Sequence, residues 1–126
     1  MSGQRHDIKV SARTGYITDQ SEPARNRYVF AYTITIENVG AVAAQLISRH
    51  WIITDAHGHV QEVRGEGVIG EQPLIPPGAR FEYTSGAVLE TPVGTMQGSY
   101  QMLGEDGVDF EATIPMFRLA VPNVLH

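Results

Sequence analysis

Apolar and polar residues alternate with period two along most of the chain. From Tyr28 the even positions read Tyr28, Phe30, Tyr32, Ile34 and Ile36, while Thr33, Thr35 and Glu37 fall between them. Successive strand side chains point to opposite faces, so this stretch predicts a strand with one apolar and one mostly polar face. Val108, Phe110, Ala112, Ile114 and Met116 repeat the pattern against Asp109, Glu111 and Thr113, and so do Met96, Gly98, Tyr100 and Met102 against Thr95, Gln97, Ser99 and Gln101. A shorter run sets Phe81, Tyr83 and Ser85 against Glu82 and Thr84. All of these read as half-buried antiparallel strands. Val42–Thr54 differs, because Leu46, Ile47, Trp51, Ile52 and Ile53 occupy both parities. A strand apolar on both faces belongs in the centre of its sheet or beneath a second layer. Lys9–Thr18 and Val60–Arg64 complete the set, and only Ala41–Leu46 offers a turn of helix.

Turn signals separate these segments: Asn38-Val39-Gly40, His57-Gly58, Pro76-Pro77-Gly78, Pro92-Val93-Gly94 and Glu105-Asp106-Gly107. About seven short strands at such spacing predict an all-β fold, a two-sheet antiparallel sandwich of immunoglobulin or fibronectin type III kind. A second sheet is needed to cover the apolar faces. At 126 residues the chain forms one domain, residues 1–126, with room for one core. There is no cysteine, which excludes disulfides, thiolate metal sites and cysteine nucleophiles.

Charge narrows the partners. The net charge is −5, and the nine basic residues are one lysine and eight dispersed arginines. Nucleic-acid binders gain affinity from clustered Lys and Arg, so no nucleic-acid surface is expected. No segment has the apolar length that crosses a bilayer, and the polar start Met1–Asp7 lacks a signal peptide's apolar run. A cytoplasmic protein with no membrane partner is the expectation.

One motif could carry chemistry. Gly65-Glu66-Gly67-Val68-Ile69-Gly70 fits the G-x-G-x-x-G pattern of dinucleotide-binding loops, and Glu90 stands at the offset of a ribose-binding acid. Prolines at 73, 76 and 77, however, forbid the helix whose N-terminus would hold a pyrophosphate. The preferred reading is a bulged, tightly turning connection between strands. The alternative is a ligand-binding nest of backbone amides over residues 65–70, helped by Arg64.

Asp55-Ala56-His57-Gly58-His59 brings three metal-ligand types together, with His50 upstream. His57-Gly58 also stands where a hairpin wants an Asn-Gly-like pair at positive φ, and Asp55 is a common turn opener, so the reading is a hairpin and no metal site is assigned. Ser85 and Ser99 lack a nucleophile elbow and the acids are scattered, so no catalytic residue and no cofactor is assigned. What remains is surface recognition. Tyr16, Tyr28, Tyr83 and Tyr100 lie in alternating runs that serve the core, whereas Trp51 shares parity with Arg49 and Ile47 and fits either core or a docking face. Leu119, Val121, Val124 and Leu125 form an apolar tail with no evident strand partner. Weak self-association would use an edge strand or that tail.

Several segments in order resemble the ApaG family: Tyr28–Tyr32, Arg49–Asp55, Val63–Gly70, Gln72–Gly78, Tyr83–Gly86, Glu90–Gly98 and Pro115–Pro122. The likeness spans nearly the whole chain. It implies a fibronectin type III-like sandwich, the fold the strand pattern predicts. It also implies association with cobalt resistance and magnesium efflux, and a kinship with the ApaG portions of an F-box protein and a DNA polymerase delta-interacting protein, both adaptors. The expected function is therefore a non-enzymatic module that binds an unidentified protein partner. The alternatives are a pyrophosphate or nucleotide binder at Arg64–Gly70, or a weak divalent-metal sensor at Asp55, His57 and His59.

Overall fold

Eight strands build the chain in a computed structural model that describes residues 5–122. They are β1 Ile8–Tyr16, β2 Tyr28–Asn38, β3 Ala44–Asp55, β4 Val60–Glu66, β5 Leu74–Ile75, β6 Arg80–Leu89, β7 Val93–Gly104 and β8 Asp109–Ala120. Two antiparallel sheets face each other, one ordered β1-β2-β6 and the other β4-β3-β7-β8, with β5 added to β3 beyond the end of β4. This is the predicted sandwich. The strand beyond the expected seven is β5, two residues in the proline-flanked stretch that offers too short a pattern to read.

The inward faces follow the predicted alternation, with Phe30, Ile34, Ile36, Leu46, Met96, Tyr100 and Met102 almost fully buried. Trp51 is core: it is 2% exposed. Its ring meets Tyr32, Tyr100 and Phe117 edge-on or tilted at centroid distances of 5.4, 6.3 and 5.8 Å, arrangements aromatic quadrupoles favour. The hydroxyls of Tyr83 and Tyr100 hydrogen-bond to each other in that core. Burial pushes the Tyr83 phenol up to about 12, and Tyr100 is raised by burial as well.

Two bulges explain where the parity rule breaks. β3 is central, as predicted, with β4 and β5 on one side and β7 on the other, and its register shifts between Leu46 and Ser48. The extra residue, Ile47, lets Leu46 and Trp51 both face inward although they differ in parity. β8 opposes Pro115 and Met116 to a single residue of β7, because the register passes from Gly98↔Ile114 to Met96↔Phe117. Proline has no N–H for the ladder and is found at such bulges. Met116, expected on the apolar face, is consequently turned out and 59% exposed, while Phe117 and Leu119 turn in. Leu119, expected in an unpaired tail, pairs with Gly94 and is fully buried. Val121 packs on the core and donates its N–H to Pro92 O, so neither residue is free to dock elsewhere. Val124 and Leu125 lie outside the described residues. Ala41–Leu46 forms no helix; Ala44 already opens β3.

The sandwich is closed on one side and open on the other. On the closed side β1 packs against β8, and Arg5 and His6 reach Asp106 in the β7–β8 turn at 3.0 and 2.9 Å. On the open side lie the edge strands β4 and β6. Six of the seven β4 residues are exposed, on both faces of the strand. Val63 lies opposite Trp51 in the ladder and so shares its inward face, yet it remains 39% exposed. The three-stranded sheet is too narrow to cover it.

Candidate functional site

Everything the sequence singles out as chemistry lies on this open side. Arg64, Gly65 and Glu66 belong to β4, paired with His50, Arg49 and Ser48. The chain then turns sharply. Gly67 takes φ +63° and its N–H donates to Ile47 O. Val68 is buried, and Val68 and Glu71 exchange both backbone hydrogen bonds around Ile69 and Gly70, whose φ values are +44° and +80°. Two central residues at positive φ are the type I′ pattern, which prefers Asn-Gly. The motif is a tight turn between β4 and β5, and no helix follows it. The amides of Gly67 and Val68 are engaged by carbonyl groups. Those of Ile69 and Gly70 at the tip have no backbone acceptor among the described residues. Arg64 points to Glu62 at 3.5 Å on the exposed strand.

Arg49, which sequence reasoning passed over, secures the turn. Its guanidinium donates to Glu66 O and Gly67 O at 3.0 and 2.8 Å. The available signal was its parity with Trp51, which sends it inward beneath the β4–β5 connection.

At the tip stands Ile69. A β-branched residue in the left-handed region is a genuine outlier, costing on the order of 1–2 kcal/mol. The residue is 55% exposed, so packing within the chain offsets little of that cost. Leu74 of β5, and Val60 and Val63 of β4, add exposed apolar surface along the same edge of β3.

The β3–β4 hairpin is built differently from the expected Asn-Gly-like turn. Only Gly58 has positive φ, at +84°. Asp55 organises the turn, its Oδ1 accepting the N–H groups of His57 and His59 at 2.8 and 3.0 Å, while its backbone N–H donates to His59 O and its carbonyl accepts the Gly58 N–H. Burial pushes the Asp55 carboxyl up, but those two N–H groups and the adjacent imidazoles outweigh it and hold the carboxyl below its ordinary value. The structure brings together Asp55, His59 and Glu90, with ligand atoms all within 4.8 Å of one another. It does not bring in His57, whose ring stands 6.4 Å from that of His59. Glu90 directly follows β6, in the connection that crosses from the three-stranded sheet to β7. A cleft of about 210 Å³ lies between the two sheets here, lined by the three residues with Ile53, Val88 and Leu89 among its walls.

Comparison with known proteins places the chain. The sequence profile of the ApaG domain matches residues 18–104. The chain belongs to the ApaG family. It is 67% identical to protein ApaG of Thiobacillus denitrificans over 98% of each chain, and 64% identical to protein ApaG of Pseudomonas aeruginosa over the full length of both. A crystal structure from Bordetella pertussis, of a protein described as ApaA, superposes with a TM-score of 0.93 at 54% identity, covering 96% of this chain and 98% of the other. No helix of the described ApaG fold is long and apolar enough to cross a membrane.

Proposed function

We propose that this chain is a cytoplasmic, non-enzymatic module whose open edge binds a protein partner. The observation that supports this reading is Ile69. A large apolar side chain is held in a conformation that costs stability, at an exposed turn tip, where Asn would fit better. Such local strain is retained where it serves recognition. Beside it, β4 presents unpaired backbone groups along a strand exposed on both faces. An extended segment of the partner would add to β4 as a further strand, alternating its charges against Glu62, Arg64 and Glu66, while an apolar pocket receives Ile69. Any link to cobalt resistance or magnesium efflux would run through that partner.

The test exploits the strain. Ile69→Asn should raise the stability of the isolated chain by about 1 kcal/mol, since Asn tolerates positive φ. The same variant should weaken binders selected from a displayed peptide library by roughly tenfold, the loss of one hydrophobic anchor. Amide hydrogen exchange should show new protection confined to β4 and the turn. Binders that protect another face, or a destabilised Ile69→Asn, would overturn the reading.

A further inference from the structure

We propose that Asp55, His59 and Glu90 form a binding site for a divalent first-row transition metal, which would clamp the two sheets together across the open side of the sandwich. The geometry is close to what such an ion needs. Asp55 Oδ2 lies 3.6 Å from His59 Nδ1. Two ligands at tetrahedral angles and ordinary zinc–nitrogen and zinc–oxygen lengths stand about 3.3–3.5 Å apart, so this pair needs almost no adjustment. Glu90 completes a set whose atoms fall within 4.8 Å, and a rotamer change of an exposed side chain closes the remainder.

The frame around these groups is rigid where it must be. The Asp55 side chain is 9% exposed, and its Oδ1 is fixed by two backbone N–H groups, which leaves Oδ2 to face His59. Glu90 is held beside the hairpin by its neighbour Thr91, a buried residue. The Thr91 hydroxyl accepts the Ala56 N–H at 3.0 Å and donates to Val93 O at 2.8 Å. Among the described residues Glu90 has neither an ion pair nor a side-chain hydrogen bond, and it sets a second carboxylate near that of Asp55. A cation placed between the two carboxylates is attracted by both. One imidazole with two carboxylates suits borderline ions such as Zn²⁺ rather than soft Cu(I). Three protein ligands leave at least one coordination position open to water.

The probe is Zn²⁺ alone, titrated calorimetrically into the full chain and followed by its denaturation midpoint. The parent should bind one ion per chain at submillimolar concentration, and its midpoint should rise, because an ion that binds only the folded state stabilises it. His59→Gln and Glu90→Gln should each weaken binding roughly tenfold or more, in line with losses on altering a metal site. Asp55→Asn, which keeps the Oδ1 acceptor that holds the turn, should do the same. His57→Gln should bind as the parent does. Metal-free midpoints of all four variants establish that they are folded. The proposal is overturned by the absence of saturable binding, by binding that survives Glu90→Gln, or by His57→Gln weakening it as much as His59→Gln. The last result would assign the ion to the exposed imidazole pair instead of the cleft.

Discussion

Replacing Gly67 by alanine separates a structural from a ligand-binding reason for the glycine motif. Two costs arise. The backbone sits at φ +63°, where an L-residue loses about 1–2 kcal/mol. The new methyl would also overlap the carbonyl oxygen of Glu71, a backbone atom locked in the Val68–Glu71 pair, and forcing such a fit costs typically about 1–3 kcal/mol. Against these, restricting the unfolded chain returns about 0.4–1 kcal/mol. The net destabilisation is roughly 1–4.5 kcal/mol, a large share of the 5–15 kcal/mol typical of a domain. Gly70→Ala is the control: φ is +80°, but no atom outside its chain neighbours lies within 4 Å of the added carbon, so only the conformational cost applies, about 0–1.6 kcal/mol net. Urea denaturation should therefore rank parent, Gly70→Ala and Gly67→Ala in that order of decreasing midpoint, with unchanged slope. A Gly67→Ala curve that overlays the parent's would refute the reasoning. So would a parent midpoint that rises with added ATP while the variant's does not, since the glycines would then serve an anion.

Asn38, fully buried at the end of β2, donates to Val42 O and Ile75 O and accepts the Gly40 N–H, each at 2.9 Å. Asn38→Leu strands three backbone groups and should cost roughly 3–5 kcal/mol by urea denaturation; a loss under about 1 kcal/mol would mean that water replaces the amide. Asp106 predicts a pH dependence. Hydrogen bonding to His6 lowers its carboxyl most, partial burial opposes, and Arg5 and the Val108 N–H lower it further, to about 2 from an ordinary 3.8. A depressed carboxylate stabilises the fold above its unfolded value, and that contribution is lost as pH falls through the folded one. The stability gap between parent and Asp106→Asn should therefore be present just above pH 3.8 and close as pH falls to about 2, which denaturation curves across that range would check.

The strands were legible because one buried face imposes period two, and the long runs from Tyr28 and Thr95 show it without interruption. The bulges were not. Each inserts one residue that reverses the faces beyond it, so Met116 reads as core and Leu119 as tail although the fold has them the other way round. Pro115 carried the signal for the second bulge, a residue unable to donate within a ladder; Ile47 carried none. The glycine motif was readable as a turn from its prolines. That its tip holds Ile69 in a left-handed conformation follows only from the pairing of Val68 with Glu71. Glu90 was invisible as a neighbour of His59 because it stands thirty-one positions further along the chain, and only the fold sets the β6–β7 connection beside the β3–β4 hairpin.

The chemistry of the open edge constrains what the proposed partner would be. Two copies of β4 pairing antiparallel about Val63 would set Glu62 opposite Arg64 of the other copy, a favourable cross-strand arrangement. The same register sets apolar Val60 opposite acidic Glu66. That register covers only Val60–Glu66 and places no strand residue opposite Ile69, which lies beyond the turn at Gly67. Slipping by one residue turns each side chain toward the wrong face and separates Glu62 from Arg64. Self-pairing would thus satisfy the backbone of β4 and leave the strained isoleucine unburied. A different protein, whose added strand ends beside an apolar pocket, satisfies both. Charges on an exposed edge strand guard against indiscriminate pairing, and Glu62, Arg64 and Glu66 supply them here. The strain at Ile69 and the charges on β4 have a common account if the edge is kept for one complementary partner and closed to its own kind.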